Sequence, residues 1–212
     1  MSSPIKLKYY VTVSLLAVLL TAFSYFFLDA SVARFVYRLI RGSDLLTRAT
    51  SDIPDRLLHI VIIATALSWT WYFLLVRRGI QNRHTRFLRT CGTVLPIAFV
   101  AKVIFQYAFG RSDVHAWIFY HRLPSFHWFR MDEGYGCFPS GHMTVFTALV
   151  VTLSHYYPRY RLIFLVSLIL LGLLLTATDY HFLSDVMAGG FLGVVVAFIL
   201  RDGKTFGPDR SQ

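Results

Sequence analysis

Long apolar runs without charged side chains constrain the fold of this 212-residue chain more than any other feature. Residues 9–28 and 57–76 contain no Lys, Arg, Asp or Glu. Each run is long enough for a helix that crosses the hydrocarbon core of a bilayer, which takes about 20 residues. Further apolar runs lie at residues 91–109, 141–157, 162–178 and 185–200. The pattern predicts an all-α integral membrane protein, with six transmembrane helices that form one domain over residues 1–212.

The positive charge of the chain is distributed unevenly along the sequence. A formal net charge of +10 would by itself be compatible with nucleic-acid binding. If the N-terminus is cytoplasmic, the inside segments hold 12 cations and two acids, and the outside segments hold 8 cations and 9 acids. An excess of Lys and Arg on one side is the positive-inside pattern of membrane proteins. The charges therefore predict cytoplasmic N- and C-termini, and we expect no nucleic-acid partner.

The first apolar run, residues 9–28, is either a retained helix or a signal peptide. Two lysines precede it, and small residues at 31–33 resemble a cleavage site. The apolar core of a signal peptide is usually about 7–15 residues long, which is shorter than this run. We therefore expect the run to remain in the protein as a membrane helix.

Three arginines follow the first run at helical spacing among apolar residues, namely Arg34, Arg38 and Arg41. This spacing predicts a short amphipathic helix in the first outer loop, residues 29–56. Such a helix would lie on the outer leaflet, or it would be an ordinary connection between two spans. The sequence leaves both alternatives open.

The segment Pro139-Ser140-Gly141-His142 stands at the start of the fourth apolar run. The first turn of a helix has unpaired backbone N–H groups and a partial positive charge, so it favours an anion. Ser140 would cap that turn or donate to a phosphate oxygen, and Gly141 would let a ligand approach the backbone closely. His142 would then project from the first turn toward the bound anion. Taken alone, the segment is also an ordinary helix start.

A second histidine, His181, precedes Asp185 by four residues at the start of the last run. If this segment is helical, both side chains share a face, and the carboxylate can fix the tautomer of the imidazole. An imidazole oriented in this way is a candidate nucleophile. The alternative for the pair alone is a capping Asp beside an interfacial His.

Two basic residues map to the same predicted side of the membrane. Lys102 lies within the third run, and a lysine inside a membrane indicates a functional site by default. Arg111 follows that run, where a guanidinium can bind two phosphate oxygens at once. The alternative for both is that their side chains extend to lipid headgroups. Because both cations, both histidines and Asp185 map to one face, we interpret the cluster as a site for phosphoryl chemistry.

The two cysteines, Cys91 and Cys137, lie on opposite sides of the predicted membrane. They therefore cannot form a disulfide bond, and their number and spacing do not indicate a metal site. We interpret both as packing residues and expect neither a metal nor a cofactor.

The motifs between residues 102 and 190 resemble those of the type 2 phosphatidic acid phosphatase superfamily. Pro-Ser-Gly-His at 139–142 matches the second motif of that family in full, and His181 with Asp185 matches part of the third. Two positions depart from the pattern: Phe109 stands where an arginine of the first motif is expected, and Leu175 where the arginine of the third is expected. Arg122 or Arg130 would be candidates to compensate.

The resemblance implies a metal-independent phosphatase that forms a phosphohistidine intermediate. His181 would attack phosphorus, Asp185 would orient it, and His142 would protonate the leaving alcohol. The phosphate oxygens would be bound by Lys102, Arg111, Ser140 and Gly141.

A phosphorylated lipid is the expected substrate, either phosphatidic acid, phosphatidylglycerol phosphate, an isoprenoid diphosphate or lipid A. We expect a bacterial inner-membrane protein with its site on the periplasmic or extracellular face. One alternative is a lipid phosphotransferase of the same fold. The other is a non-catalytic lipid-binding or transport-like membrane protein, which the missing arginine of the third motif would favour.

Overall fold

The described part of the computed structural model is helical and covers residues 4–40, 53–114, 117–118, 125–132 and 134–202. Its α-helices are α1 (Pro4–Phe23), α2 (Asp29–Ile40), α3 (Ile53–Arg77), α4 (Arg83–Phe109), α5 (Gly141–Tyr156), α6 (Arg161–Ala177) and α7 (Leu183–Asp202). A π-helical turn, Ser24–Leu28, joins α1 to α2, and a 3₁₀ turn, Pro158–Tyr160, precedes α6. Within these ranges the structure contains isolated β-bridges but no strand.

Five helical segments are long and apolar enough to cross a bilayer, which confirms the predicted all-α membrane class. They are Tyr10–Leu39, Arg56–Arg77, Arg83–Phe109, Pro158–Ala177 and Leu183–Leu200. The predicted fourth span corresponds to α5, which has 16 residues. A straight helix needs about 20 residues to cross the hydrocarbon core. The structure therefore does not establish the predicted number of six spans.

The predicted helix in the first outer loop is present as α2, but it continues the first span instead of standing apart from it. Through the π-helical turn, α1 and α2 form one helical segment of 30 residues, Tyr10–Leu39. Asp29, the first residue of α2, is buried together with Ser24, whose hydroxyl donates to the Asp29 carboxylate at 3.2 Å. The beginning of α2 therefore faces the protein interior. Arg41 lies outside the described residues.

The two ends of α4 determine the path of the chain beyond it. At its start, the Asn82 side chain accepts a hydrogen bond from the Thr85 backbone N–H at 3.1 Å. At its end, Gly110 has a φ of 51°, in the left-handed region that favours glycine. A Cβ atom at Gly110 would lie 1.9 Å from the carbonyl oxygen of His127, so no side chain fits there. The chain therefore turns sharply at the end of α4 and leads directly into Arg111.

Two glycines of α7 allow α5 to approach α7 closely. A Cβ atom at Gly189 would lie 2.4 Å from the carbonyl oxygen of Ser140, and one at Gly193 would lie 2.4 Å from that of Thr144. Small residues four positions apart create such close helix contacts in membrane proteins. The start of α5 is consequently held against the start of α7.

Helices α3, α4, α5 and α7 also share an apolar core. Its buried members are Leu57, Val61, Cys91, Val94, Leu95, Ala98, Val145, Ala148, Val196 and Ala197. Cys91 is therefore a packing residue, as predicted. This core fixes α4 beside α5, so that the end of α4 and the starts of α5 and α7 meet at one end of the bundle.

Candidate active site

The two histidines of the sequence motifs lie close together in the folded chain. His142 is in the first turn of α5, and His181 lies two residues before α7 begins. The centroids of their rings are 6.5 Å apart. Both side chains are nearly buried, with 8% of His142 and 6% of His181 exposed. A phosphorus atom held between the two rings would be within reach of both imidazoles.

The start of α5 is organised by Ser140. Its hydroxyl oxygen accepts a hydrogen bond from the backbone N–H of Met143 at 3.4 Å, which is the contact of an N-cap residue. Its own backbone N–H donates to the carbonyl oxygen of Asp185 at 3.0 Å. Ser140 is fully buried, and its hydroxyl makes the capping contact within the protein interior. The same residue ties the start of α5 to α7.

Lys102 lies beside the start of α5, although it is distant in sequence. A Cβ atom at Gly141 would be 2.9 Å from Cδ and 3.3 Å from Nζ of Lys102. The Lys102 ammonium donates to Oε1 of Gln106 at 3.1 Å, and Nε2 of Gln106 donates to the Pro139 carbonyl oxygen at 3.1 Å. The structure thus brings Lys102 to the helix start, as the sequence predicted. Because Gly141 has no side chain, the ammonium can approach an anion bound there.

His181 and Asp185 do not occupy one helical face, because α7 begins at Leu183. Asp185 lies in the first turn of that helix, and its Oδ2 accepts a hydrogen bond from the backbone N–H of Phe182 at 3.0 Å. Nδ1 of His181 is 3.8 Å from Oδ2 of Asp185. This separation is too long for a direct hydrogen bond. The carboxylate therefore faces the imidazole without bonding to it directly.

Cys137 occupies the position between these two groups. Its Sγ atom is 3.0 Å from Nδ1 of His181 and 3.3 Å from Oδ2 of Asp185. The interpretation of Cys137 as only a packing residue was therefore wrong, since its thiol contacts both polar groups. Burial, and next the Asp185 carboxylate, raise the pKa of the Cys137 thiol well above its ordinary value. The thiol accordingly keeps its proton near neutral pH.

Within the described part of the chain, Cys137, His181 and Asp185 also form a group of side chains that are of the kinds that bind metal ions. The ligand atoms of Cys137, His181 and Asp185 all lie within 4.8 Å of one another. Thiolate, imidazole and carboxylate are ligands that Zn²⁺ accepts, but a structural zinc site has four of them and a deprotonated thiol. In this structure the three groups contact one another through the Cys137 thiol, as a hydrogen-bonded cluster.

Arg111 is placed differently from its predicted position at the mouth of the site. Its side chain is fully buried, and Nη1 contacts Asp185 Oδ1 and donates to the Ser184 hydroxyl at 2.7 Å. Nη2 forms an ion pair with Asp29 Oδ2 at 2.7 Å. Burial alone would lower the pKa of Arg111, but the carboxylates of Asp185 and Asp29 raise it. Its two terminal nitrogens are therefore engaged by carboxylates, while the binding of phosphate by Arg111 stays a prediction.

Aromatic rings surround the buried guanidinium. The Cζ atom of Arg111 lies 4.3 Å from the ring centroid of Phe182 and 4.9 Å from that of Tyr25. Phe126 and Phe138 contribute further rings at 5.6 and 6.0 Å. A desolvated cation gains stability over aromatic faces. This environment holds Arg111 in place behind Asp185, away from water.

Asp29 is a further residue of the candidate site that sequence reasoning missed. In addition to Arg111, it accepts hydrogen bonds from the backbone N–H of Ser184, at 2.9 Å, and from the Ser184 hydroxyl. The signal in the sequence was an acidic residue directly after an uncharged run of 20 residues. A carboxylate at that depth indicates a buried partner. The two carboxylates and Arg111 form one ionic cluster with Ser184.

The positions considered for a further phosphate-binding cation do not supply one in the described structure. Leu175 is buried and packs with Met143 and Val186. Arg130 forms an exposed ion pair with Asp132 at 2.6 Å. Arg122 lies outside the described residues. Within those residues, Lys102 is the predicted cation that lies beside the start of α5.

Asp179 is a second acidic residue that the sequence motifs did not single out. It lies two residues before His181, has a φ of 51°, and is 8% exposed. Its Oδ1 atom is buried without a hydrogen-bond partner in the structure. Burial raises the pKa of Asp179 to about 7. The carboxyl group is therefore partly protonated near neutral pH, next to the turn that carries His181.

Comparison with known proteins agrees with these motifs. Residues 116–204 match the family model of the PAP2 superfamily. None of the curated proteins matches the sequence significantly. Among solved structures, the crystal structure of a transmembrane PAP2-type phosphatidylglycerolphosphate phosphatase from Bacillus subtilis is similar, with 21% identity and a TM-score of 0.48. The similarity covers 90% of this chain and 93% of that one.

The matched segment contains His142, His181 and Asp185, the three residues that meet in the structure. Lys102 and Arg111, which reach the same place, lie just before it. The match over residues 116–204 agrees with the resemblance of the motifs to the PAP2 superfamily.

Proposed function

We propose that the protein is a membrane lipid-phosphate phosphatase that works without a metal ion and through a phosphohistidine. The observation that carries the proposal is the meeting of His142 and His181 at the start of α5, with the Lys102 ammonium beside Gly141. The match to the PAP2 superfamily supports the same reaction class. Two imidazoles beside a helix N-terminus and a cation form a site suited to phosphoryl transfer.

In the first step, Nε2 of His181 attacks phosphorus and forms a P–N bond. The P–O bond to the lipid alcohol breaks, and His142, which starts in its protonated form, donates a proton to the departing oxygen and becomes neutral. In the second step, His142 accepts a proton from water, whose oxygen attacks phosphorus. The P–N bond breaks, inorganic phosphate leaves, and both histidines return to their initial states. This division of one difficult step into two is typical of nucleophilic catalysis.

The phosphate oxygens would be bound at the start of α5. Backbone N–H groups of the first turn and the Lys102 ammonium would stabilise the negative charge on these oxygens. Arg111, which the motif pattern assigned to the phosphate, contacts Asp185 in this structure. Its proposed role is to fix the carboxylate of Asp185 behind His181.

The position of the site in the bundle supports a lipid substrate. The site lies where α4 ends and where α5 and α7 begin, beside helices whose apolar side chains are largely exposed. A phosphate headgroup at that end would leave its hydrocarbon chains in the bilayer. The charge distribution supports cytoplasmic termini and a site on the opposite face, and we propose that this is the periplasmic face of a bacterial inner membrane. We propose one domain, residues 1–212, for the whole activity.

The test is release of inorganic phosphate from dioctanoyl phosphatidic acid by the purified protein in detergent, with a metal chelator present. We expect turnover by the wild-type protein and none by His181→Ala, because that variant has no nucleophile. Acid-labile phosphate bound to the wild-type protein during turnover would identify the phosphohistidine. His84→Ala is a suitable control, because His84 lies at the other end of α4 and contacts Tyr157.

Full activity of His181→Ala would contradict the proposed nucleophile, and loss of wild-type activity in the chelator would contradict the metal-free mechanism. Transfer of labelled phosphate to a second lipid, instead of to water, would identify a phosphotransferase. Binding of the lipid with no release or transfer of phosphate would identify a non-catalytic protein.

A further inference from the structure

The thiol of Cys137 lies at the centre of the proposed nucleophilic pair. Cys137 belongs to the segment between α4 and α5, two residues before Pro139, and its side chain is 6% exposed. Its Sγ atom is closer to His181 Nδ1 and to Asp185 Oδ2, at 3.0 and 3.3 Å, than these atoms are to each other, at 3.8 Å. The thiol therefore provides the short connection between the imidazole and the carboxylate.

The hydrogen atoms available in this cluster determine the direction of each bond. Oδ2 of Asp185 can only accept when the carboxylate is ionised, and Oδ1 already contacts the Arg111 guanidinium. A protonated thiol can donate its S–H to Oδ2 and accept an N–H from the imidazole. The resulting chain runs from His181 Nδ1–H to Sγ, and from Sγ–H to Oδ2. Each of the three groups then has a suitable partner.

This arrangement selects one tautomer of His181. When Nδ1 carries the proton, Nε2 has a free lone pair and can attack phosphorus. In the other tautomer, Nδ1 would have to accept the thiol proton, and Oδ2 would lose that donor. Nε2 would then carry a proton and could not act as the nucleophile. The thiol thus couples the ionised carboxylate to the reactive tautomer.

We propose that Cys137 is a positioning residue, whose thiol transmits the orienting effect of Asp185 to Nδ1 of His181 and thereby frees Nε2 for attack. The expected effect of Cys137 on the reaction rate rests on the proposed function, in which His181 is the nucleophile. The structural consequence of the proposal, the tautomer of His181, does not depend on catalysis.

The kinetic test compares Cys137→Ala and Cys137→Ser, with Cys91→Ala as the matched control from the apolar core. Loss of one buried hydrogen-bonding group is expected to reduce kcat of Cys137→Ala by about tenfold or more, with KM nearly unchanged. The hydroxyl of Cys137→Ser can donate and accept in the same way, so this variant should recover most of the rate. Cys91→Ala should keep the kcat of the wild-type protein.

The second measurement is the tautomer of His181, read from the ring ¹⁵N NMR shifts of the full-length protein in detergent. His181→Ala identifies the signal. We expect a protonated Nδ1 in the wild-type protein and in Cys137→Ser, and a mixture of tautomers in Cys137→Ala. If Cys137→Ala does not fold, Cys137→Val replaces it, because valine preserves the side-chain volume but cannot form hydrogen bonds.

A wild-type His181 protonated at Nε2 would overturn the proposal, as would a Cys137→Ala variant with unchanged kcat and unchanged tautomer. One equivalent of bound zinc in the purified protein, lost in Cys137→Ala, would also overturn it, because the thiol would then be a metal ligand. If the wild-type protein releases no phosphate, the proposed function fails. The NMR result still decides whether Cys137 positions His181.

Discussion

At the scale of single residues, His142 and His181 differ in their surroundings. The ring nitrogen Nδ1 of His181 has two polar neighbours, Cys137 at 3.0 Å and Asp185 at 3.8 Å. Tyr180 packs edge-on against both rings, at a centroid distance of 5.6 Å from His142 and 4.8 Å from His181. A nucleophile must be oriented by a partner, whereas a general acid must exchange its proton with the substrate. These surroundings agree with a division of roles in which His181 attacks and His142 transfers the proton.

Replacement of His142 by alanine is expected to affect substrates in proportion to their need for an acid. With a lipid phosphate, kcat should fall by about 10²-fold or more, because an alkoxide leaves poorly without a proton. With an aryl phosphate, whose leaving group is stable as an anion, the loss should be much smaller. Steady-state rates on both substrates test this, with His155→Ala at the opposite end of α5 as the control. Equal losses on both substrates would contradict the acid role.

Some residues of the site could be predicted from the sequence and others could not. The motif at 139–142 predicted a helix start. Lys102 was identified as a candidate because a cation inside an apolar run usually indicates a functional site. Asp29 gave a weaker signal, because its partner Ser184 is 155 positions away. Cys137 was missed because its contacts depend on the path of the segment between α4 and α5, which no periodic pattern specifies.

At the scale of helices, the contact between α5 and α7 determines whether the two histidines meet. Asp185 and Ser140 are linked through the backbone at this contact, and Gly189 removes the side chain that would separate them. Gly190, which is also in α7, is not packed closely against another backbone, because a Cβ atom there would have its nearest neighbour at 3.9 Å. Neighbouring glycines of one helix therefore provide both a test and its control.

Gly193→Ala is expected to destabilise the protein, whereas Gly190→Ala should have little effect. The new methyl group at 193 would lie 2.4 Å from the Thr144 carbonyl oxygen, which belongs to helix backbone and cannot move aside. Overpacking of this kind costs about 1–3 kcal/mol. Thermal unfolding of both variants in the same detergent measures the difference. Equal midpoints for both variants would show that α5 and α7 are not in such close contact.

The helices show where sequence patterns succeed and where they stop. Apolar runs predicted six spans, and five of them correspond to helical segments that are long and apolar enough to cross a bilayer, because the hydrocarbon core demands length and hydrophobicity together. The same patterns predicted the end of α2 and the length of α5 less well. Polar contacts within the protein can shorten a helix, and sequence hydropathy does not record them. The extension of the first span through Asp29 has the same origin, since the buried carboxylate is stabilised by Arg111.

At the scale of the whole molecule, the orientation in the membrane determines which pool of substrate the site reaches. The predicted orientation rests on 12 cations in the inside segments. Arg78, in the loop between α3 and α4, and Arg83, the first residue of α4, lie at the opposite end of α4 from Lys102. The candidate site is therefore expected on the side with fewer cations.

Sealed membrane vesicles of known orientation can test this expectation. Right-side-out vesicles should hydrolyse a short-chain, water-soluble lipid phosphate added outside without permeabilisation. Inside-out vesicles should show the same activity only after detergent opens them, because the site would face the lumen. Vesicles that contain His181→Ala provide the background rate. The reverse pattern would place the site on the cytoplasmic face.

The ion pair between Asp29 and Arg111 connects the N-terminal helical segment to the candidate site, whose other residues come from later in the chain. A version of the protein that began after residue 33 would keep the later helices and the histidine motifs, yet its buried guanidinium would have lost one of two counter-charges. Breaking a buried ion pair costs about 3–5 kcal/mol. Such a truncated protein could insert into a membrane with its motifs complete and still hold Asp185 poorly, so insertion and catalytic competence would become separate properties.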